Sequence, residues 1–131
     1  MSLLISLELC YTYISLGYNQ LATVDYSNIV TLSILREMVH YLEKVKKAIE
    51  NDNIDIILNS DIEDHCRYIV AYLSKAVHND THHHDIQCII TIAKCHIKMA
   101  LHQVRFYKIN VDPKLLSYME LVEVVLTQLR L

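Results

Sequence analysis

A single glycine, Gly17, and a single proline, Pro113, are all the backbone punctuation in a chain of 131 residues. A chain of this length ordinarily carries roughly nine glycines and six or seven prolines. Hairpin turns need residues that tolerate positive φ, and glycine is their main supplier. A meander of many short strands is therefore closed to this sequence. Glycine-rich phosphate cradles are closed to it on the same ground, and P-loop and dinucleotide-binding folds go with them. Long, uninterrupted helices remain.

Apolar periodicity places those helices. Leu35, Met38, Leu42, Val45 and Ile49 recur at alternating spacings of three and four, widened by Leu32 and Val39. This predicts a helix from about Ser27 to Glu50. Asp25 or Ser27 stands where a cap is needed, and Glu43 precedes Lys47 in the favourable i, i+4 order. A second stripe, Ile62, Cys66, Ile69, Val70, Leu73, Ala76 and Val77, predicts a helix from about Asp55 or Asp61 to His78. A third, Ile86, Ile89, Ile90, Ala93, Ile97, Ala100, Leu101 and Val104, predicts one from about Thr81 to Lys108. That segment also bears a softer stripe, Cys88, Ile92, Cys95 and Met99, so it is apolar over more than half its circumference. Such a helix is enclosed on several sides or covers a partner.

Asp112-Pro113 is a strong start signal for the last helix, whose stripe is Leu115, Leu116, Met119, Val122, Val125, Leu126 and Leu129. Residues Ser2 to Tyr18 read either as a short helix or as an extended arm, because Leu3, Ile5, Leu7 and Leu9 alternate. No linker or repeat interrupts residues 1–131. The expected fold is all-α, an antiparallel four-helix bundle in one domain with an additional short N-terminal helix or arm.

Twelve basic and fifteen acidic residues give a net charge of −3. The basic cluster Lys44, Lys46 and Lys47 sits among Glu43 and Glu50 and reads as a solvated helix face. We expect no nucleic-acid partner. The apolar N-terminus carries Glu8 and lacks a basic leader, and no stretch is long and apolar enough to span a bilayer. Cys10, Cys66, Cys88 and Cys95 form no CxxC. The last three lie within apolar patterns, where cysteine acts as a small hydrophobe. A reducing cytoplasm fits this usage.

Histidines invite a metal reading. His84 and Cys88 have chelating spacing on a helix, and His65 and His78 are further donors. Cys88, Cys95 and His102 share a stripe, yet seven helical residues span about 10.5 Å. Zinc ligands sit about 2.0–2.3 Å from the ion, so these three cannot share one. We expect no metal and no cofactor. Arg36 and His40 lie one turn apart, but no nucleophile, base or carboxylate pair forms a catalytic set, and no enzymatic activity is expected.

Apolar contact surface is what remains. Nine tyrosines and no tryptophan are present, and tyrosine offers a flat apolar body with a polar tip. Residue by residue, a tyrosine at the core boundary is the ordinary reading. With the wide apolar girth of the segment around Ile92, a surface for a protein segment or for a second copy of the chain becomes the functional expectation. We assign partner contact to Ile92, Cys95, Met99, Tyr107, Tyr18 and Tyr26.

Two stretches resemble the flagellar export chaperone (FliS) family. One runs from Leu35-Arg36-Glu37-Met38-Val39 through Tyr41 and Ala48-Ile49-Glu50-Asn51 to Asp52-Asn53-Ile54. The other, Ile109-Asn110-Val111-Asp112-Pro113-Lys114-Leu115-Leu116, is similar to that family's link into its last helix. Arg36, Ile97 and Met99 stand where the family has tyrosines. The resemblance implies a cytoplasmic chaperone whose client is the disordered C-terminal segment of flagellin. The alternative is a viral or bacterial interaction protein, either a Bcl-2-like groove binder or a homodimeric adaptor.

Overall fold

The computed structural model describes residues 2–50, 67, 71, 83–109, 111 and 113–129, without the side chains of residues 48–50 and 114. Four helices have both ends among the described residues: α1 (Leu3–Val24), α2 (Ile29–Glu50), α3 (His84–Phe106) and α4 (Pro113–Gln128). There is no strand among the described residues, and the fold is all-α. Of the helix expected from about Asp55 or Asp61 to His78, Arg67 and Ala71 are described and both are helical; the rest lies outside the described residues.

The N-terminal segment is a helix, not an arm, and it is not short. Ser2 caps it by accepting the Ile5 amide at 3.2 Å. Leu7, Cys10, Ile14, Gly17 and Leu21 are buried, spaced by three and four along one face. Glu8 is the only charge along all of α1, so no strongly polar face marks it as a surface helix. It packs against both α2 and α3. The alternation at Leu3, Ile5, Leu7 and Leu9 arises because Ile5, off the buried seam, is apolar as well; it is 48% exposed.

Contacts between α1 and α3 fix their direction. Gln103 Nε2 donates to Ser6 Oγ at 3.3 Å, the rings of Tyr13 and His96 stack at 5.6 Å, and Gly17 faces Ile90. Residue numbers rise along α1 as they fall along α3, so the two are antiparallel. Gly17 sets their closeness: a Cβ there would stand 2.8 Å from Ile90 Cδ1. The chain's one glycine serves a helix–helix approach, with φ in the ordinary negative range. Ser6 and Gln103 are both buried, and each satisfies the other where water does not reach.

The remaining helices attach to this pair. α2 turns back along α1 after the short link at residues 25–28, and Lys46 Nζ lies 5.3 Å over the Tyr11 ring. Its buried Leu32, Leu35, Met38, Leu42 and Val45 match the sequence stripe. The expected caps differ. Ser27 Oγ donates to Asp25 Oδ1 at 2.6 Å, and the buried Asn28 supplies the carbonyl that accepts the Leu32 amide. Glu43 and Lys47 pair at 3.3 Å as the spacing predicts. α4 begins at Pro113 and packs on α3, with Leu115, Met119, Val122, Val125 and Leu126 buried in the shared core. Tyr118 of α4 meets Tyr41 of α2 with ring centroids 4.7 Å apart, both deeply buried.

α3 ends in a motif that normally uses glycine. The Ile109 amide returns to the Val104 carbonyl at 3.1 Å, and Lys108 between them takes φ of 50°. With its single glycine spent at the α1–α3 contact, the chain places a lysine in left-handed backbone here.

Gly17→Ala and Gly17→Leu separate space from propensity. Alanine gains about 1 kcal/mol of helix propensity, and only the tip of Ile90 must move, so urea unfolding is expected to shift by less than about 1 kcal/mol. Leucine is expected to lose about 1–3 kcal/mol or more through overpacking. Equal stability of the two variants contradicts the close approach.

Candidate functional site

The outer face of α3 follows from the inner one. Ile86, Ile90, Ala93, Ile97, Ala100, Leu101 and Val104 turn inward and are buried. At 100° per residue, Cys88, Ile92, Cys95 and Met99 then fall on the opposite side. All four are exposed, Ile92 at 41% and Met99 at 40%. The face runs on through His102 to Phe106, whose rings stack at 5.2 Å, and Tyr107 meets Phe106 edge-on at 5.0 Å. Phe106 is 66% exposed and Tyr107 is 68% exposed. The sequence stripe through Cys88, Cys95 and His102 continues by one further step of four to Phe106.

Of the six residues assigned to partner contact, the structure groups four. Ile92, Cys95 and Met99 lie in line on α3. Met99 and Tyr107 share an open hollow of about 580 Å³ with Lys98 and His102. Tyr18 and Tyr26 lie elsewhere. They line a small hollow of about 80 Å³ at the α1–α2 corner with Ile29 and Arg36. Gly17, next to Tyr18, is level with Ile90, and Tyr107 lies about 25 Å further along α3. The two groups are separate surfaces. Tyr18 is half-buried, whereas Tyr26 is exposed.

Tyrosines divide by environment. Tyr41 and Tyr118 are core residues, Tyr11 and Tyr13 are partly buried against the core, and Tyr26 and Tyr107 face solvent. Tyr68 and Tyr72 lie outside the described residues.

The cysteine expectation needs correction. Cys88 and Cys95 are exposed free thiols on the outer face and are not core hydrophobes. Cys10, read in sequence as part of an arm or short helix, is the buried one, and burial pushes its thiol up to about 12. Cys66 lies outside the described residues. Exposure makes Cys88 and Cys95 accessible to reagents in a way that Cys10 is not.

His84 and Cys88 are both exposed on the first turns of α3. No group of three or more His, Cys, Asp or Glu residues is gathered as for a metal among the described residues. His65 and His78, the other donors considered, lie outside them.

A polar joint closes one end of the helix pair. His83 Nε2 reaches Asp25 Oδ2 at 3.2 Å, tying the α1–α2 corner to the start of α3. The Ser27 hydroxyl, then the His83 ring, hold the Asp25 carboxyl below its ordinary value. Beside this joint an open cleft of about 670 Å³ lies between Asn19, Gln20 and Thr23 of α1 and His84 and Asp85 of α3. No helix among the described residues is long and apolar enough to cross a membrane. Compared with known proteins, the chain matches no family model, no curated protein and no solved structure.

The Asp25 joint has a pH signature. A carboxyl whose folded value is lowered adds stability above its unfolded value and loses it as pH falls through the folded one. Asp25→Asn is therefore expected to unfold at lower urea than the wild type at pH 7, with the gap closing as pH drops below about 4. Urea midpoints across that range check this, and a gap that stays constant contradicts it.

Proposed function

We propose that this protein is a non-enzymatic helical bundle that holds a segment of another polypeptide. The observation that carries this reading is the solvent-facing apolar line Ile92, Cys95, Met99 and Phe106 on a helix whose inner face is already packed. Contiguous apolar surface of this kind marks interaction sites more often than scattered exposed residues do. Binding a disordered segment there costs several kcal/mol of ordering, and apolar burial along several turns of helix is the term that offsets it.

In its most concrete form, the client is the disordered C-terminal segment of flagellin and the protein is a cytoplasmic export chaperone. The two stretches around Leu35–Asn51 and Ile109–Leu116 support this form by their resemblance to that family. No catalytic set among the described residues argues for a competing enzymatic role.

Mixing the purified chain with flagellin from the same organism tests the proposal by size-exclusion chromatography with light scattering. A stable complex is expected with full-length flagellin and none with flagellin lacking its C-terminal segment. Separate elution of the two proteins, or equal binding of the truncated form, contradicts the flagellin form of the proposal.

A further inference from the structure

α3 bears a second seam with a regular period. From Cys88 its outward residues step by four and three: Cys88, Ile92, Cys95, Met99, His102, Phe106. This is heptad spacing, the pattern by which one helix packs along another. All six residues are exposed. The run from Cys88 to Phe106 spans about 27 Å of helix, room for a partner helix of about five turns.

Charge along this strip indicates what covers it. The chain as a whole is net acidic, yet no carboxylate occurs between Cys88 and Phe106, where Lys94, Lys98 and Arg105 stand. Thr91, Lys98 and Arg105 adjoin the seam on one side, and Lys98 is exposed. Arg105 is already tied to Glu120 of α4 at 3.1 Å, so Lys98 is the principal open charge. Ile89, His96 and Gln103 adjoin the other side, with His96 stacked on Tyr13.

Between Cys88 and Phe106 a second copy of the chain finds no carboxylate for its cations, the nearest being the exposed Asp85 one step before Cys88. Parallel self-pairing sets Lys98 and Arg105 opposite His96 and Gln103. Antiparallel self-pairing sets the cations toward one another. A helix with acidic flanks gains ion pairs along the Lys98 edge and apolar burial along the seam.

We propose that the outer seam of α3 is the docking strip for an amphipathic helix of a partner protein, with apolar residues in the same heptad spacing and Glu or Asp on its flanks. This rests on the reading that the protein holds a polypeptide segment, and it adds where that segment lies and what chemistry selects it.

Two synthetic peptides test it, each about three heptads long with leucine at both seam positions, one with glutamate and one with lysine at the flanking positions. Binding to the full chain is read by fluorescence anisotropy. Maleimide labelling of Cys88 and Cys95 is mapped by mass spectrometry, with the buried Cys10 as the internal reference for a folded core. The glutamate peptide is expected to bind about five-fold more tightly than the lysine peptide, because its carboxylate pairs with Lys98 where the lysine peptide is repelled. It is expected to slow labelling of both thiols. Met99→Asp is expected to weaken it about ten-fold or more, and Lys98→Gln about three-fold.

Equal affinity for the two peptides overturns the charge assignment. Binding that leaves Cys88 and Cys95 as reactive as before overturns the seam, and the segment-holding reading then stands on another surface. Failure of both peptides while the flagellin complex forms has the same meaning. Failure of both peptides and of flagellin removes the two proposals together. Thiol protection that grows with protein concentration in the absence of peptide assigns the strip to a second copy and overturns the proposal.

Discussion

The packing of α1 along α3, closest at Gly17, is the most extensive contact among the described helices. A residue without a Cβ lets the two backbones approach until Ile90 fills the space a methyl would need. The buried Ser6–Gln103 hydrogen bond, the Tyr13–His96 stack and the Asp25–His83 pair then fall in order along the same antiparallel line. Dispersion and apolar burial along this line come from close-packed atoms, so a small change in spacing is felt along its length. Once α1 covers the inner side of α3, the opposite side has no neighbour among the described helices. Packing and exposed surface are thus two consequences of one contact.

Much of this architecture was legible because α2 and α3 carry a strong contrast between apolar and polar faces and Asp112-Pro113 announces α4. Most of the stripe residues of α2, α3 and α4 reappear in the core, with Val39 and Leu116 partly buried, Ile89 outside it and the side chain of Ile49 not described, and Pro113 opens α4 where its missing amide costs nothing. α1 lacked that contrast. With Glu8 as its only charge, several periods fit its sequence equally well, and only its place between α2 and α3 chooses among them. The caps near Asp25 misled for a related reason. Asp25 and Ser27 satisfy each other and His83, a residue far along the chain that no local pattern connects to them.

The candidate surface shows the same division. Ile92, Cys95 and Met99 lie on one helix, so a period suffices to align them. Tyr18 and Tyr26 lie on α1 and at its corner, and their distance from Tyr107 depends on the direction of packing between helices, which composition does not reveal. The same period already took in His102, and Phe106 lies one step beyond it. Lys108 shows a reverse case, a left-handed backbone position with no glycine to announce it. Among the described residues, the inner side of α3 is packed while Ile92, Met99 and Phe106 on its outer side are exposed. Such a surface carries a standing cost in hydration until something covers it.

The measurement that bears most directly on this account is solvent paramagnetic relaxation of methyl signals in the isolated chain. A soluble relaxation agent is expected to broaden Ile92 and Met99 strongly while leaving Ile90 and Ile97 sharp, because these pairs sit on opposite sides of one helix. Equal protection of all four methyls, or broadening of Ile90 and Ile97 first, contradicts the orientation of α3 and the open face derived from it.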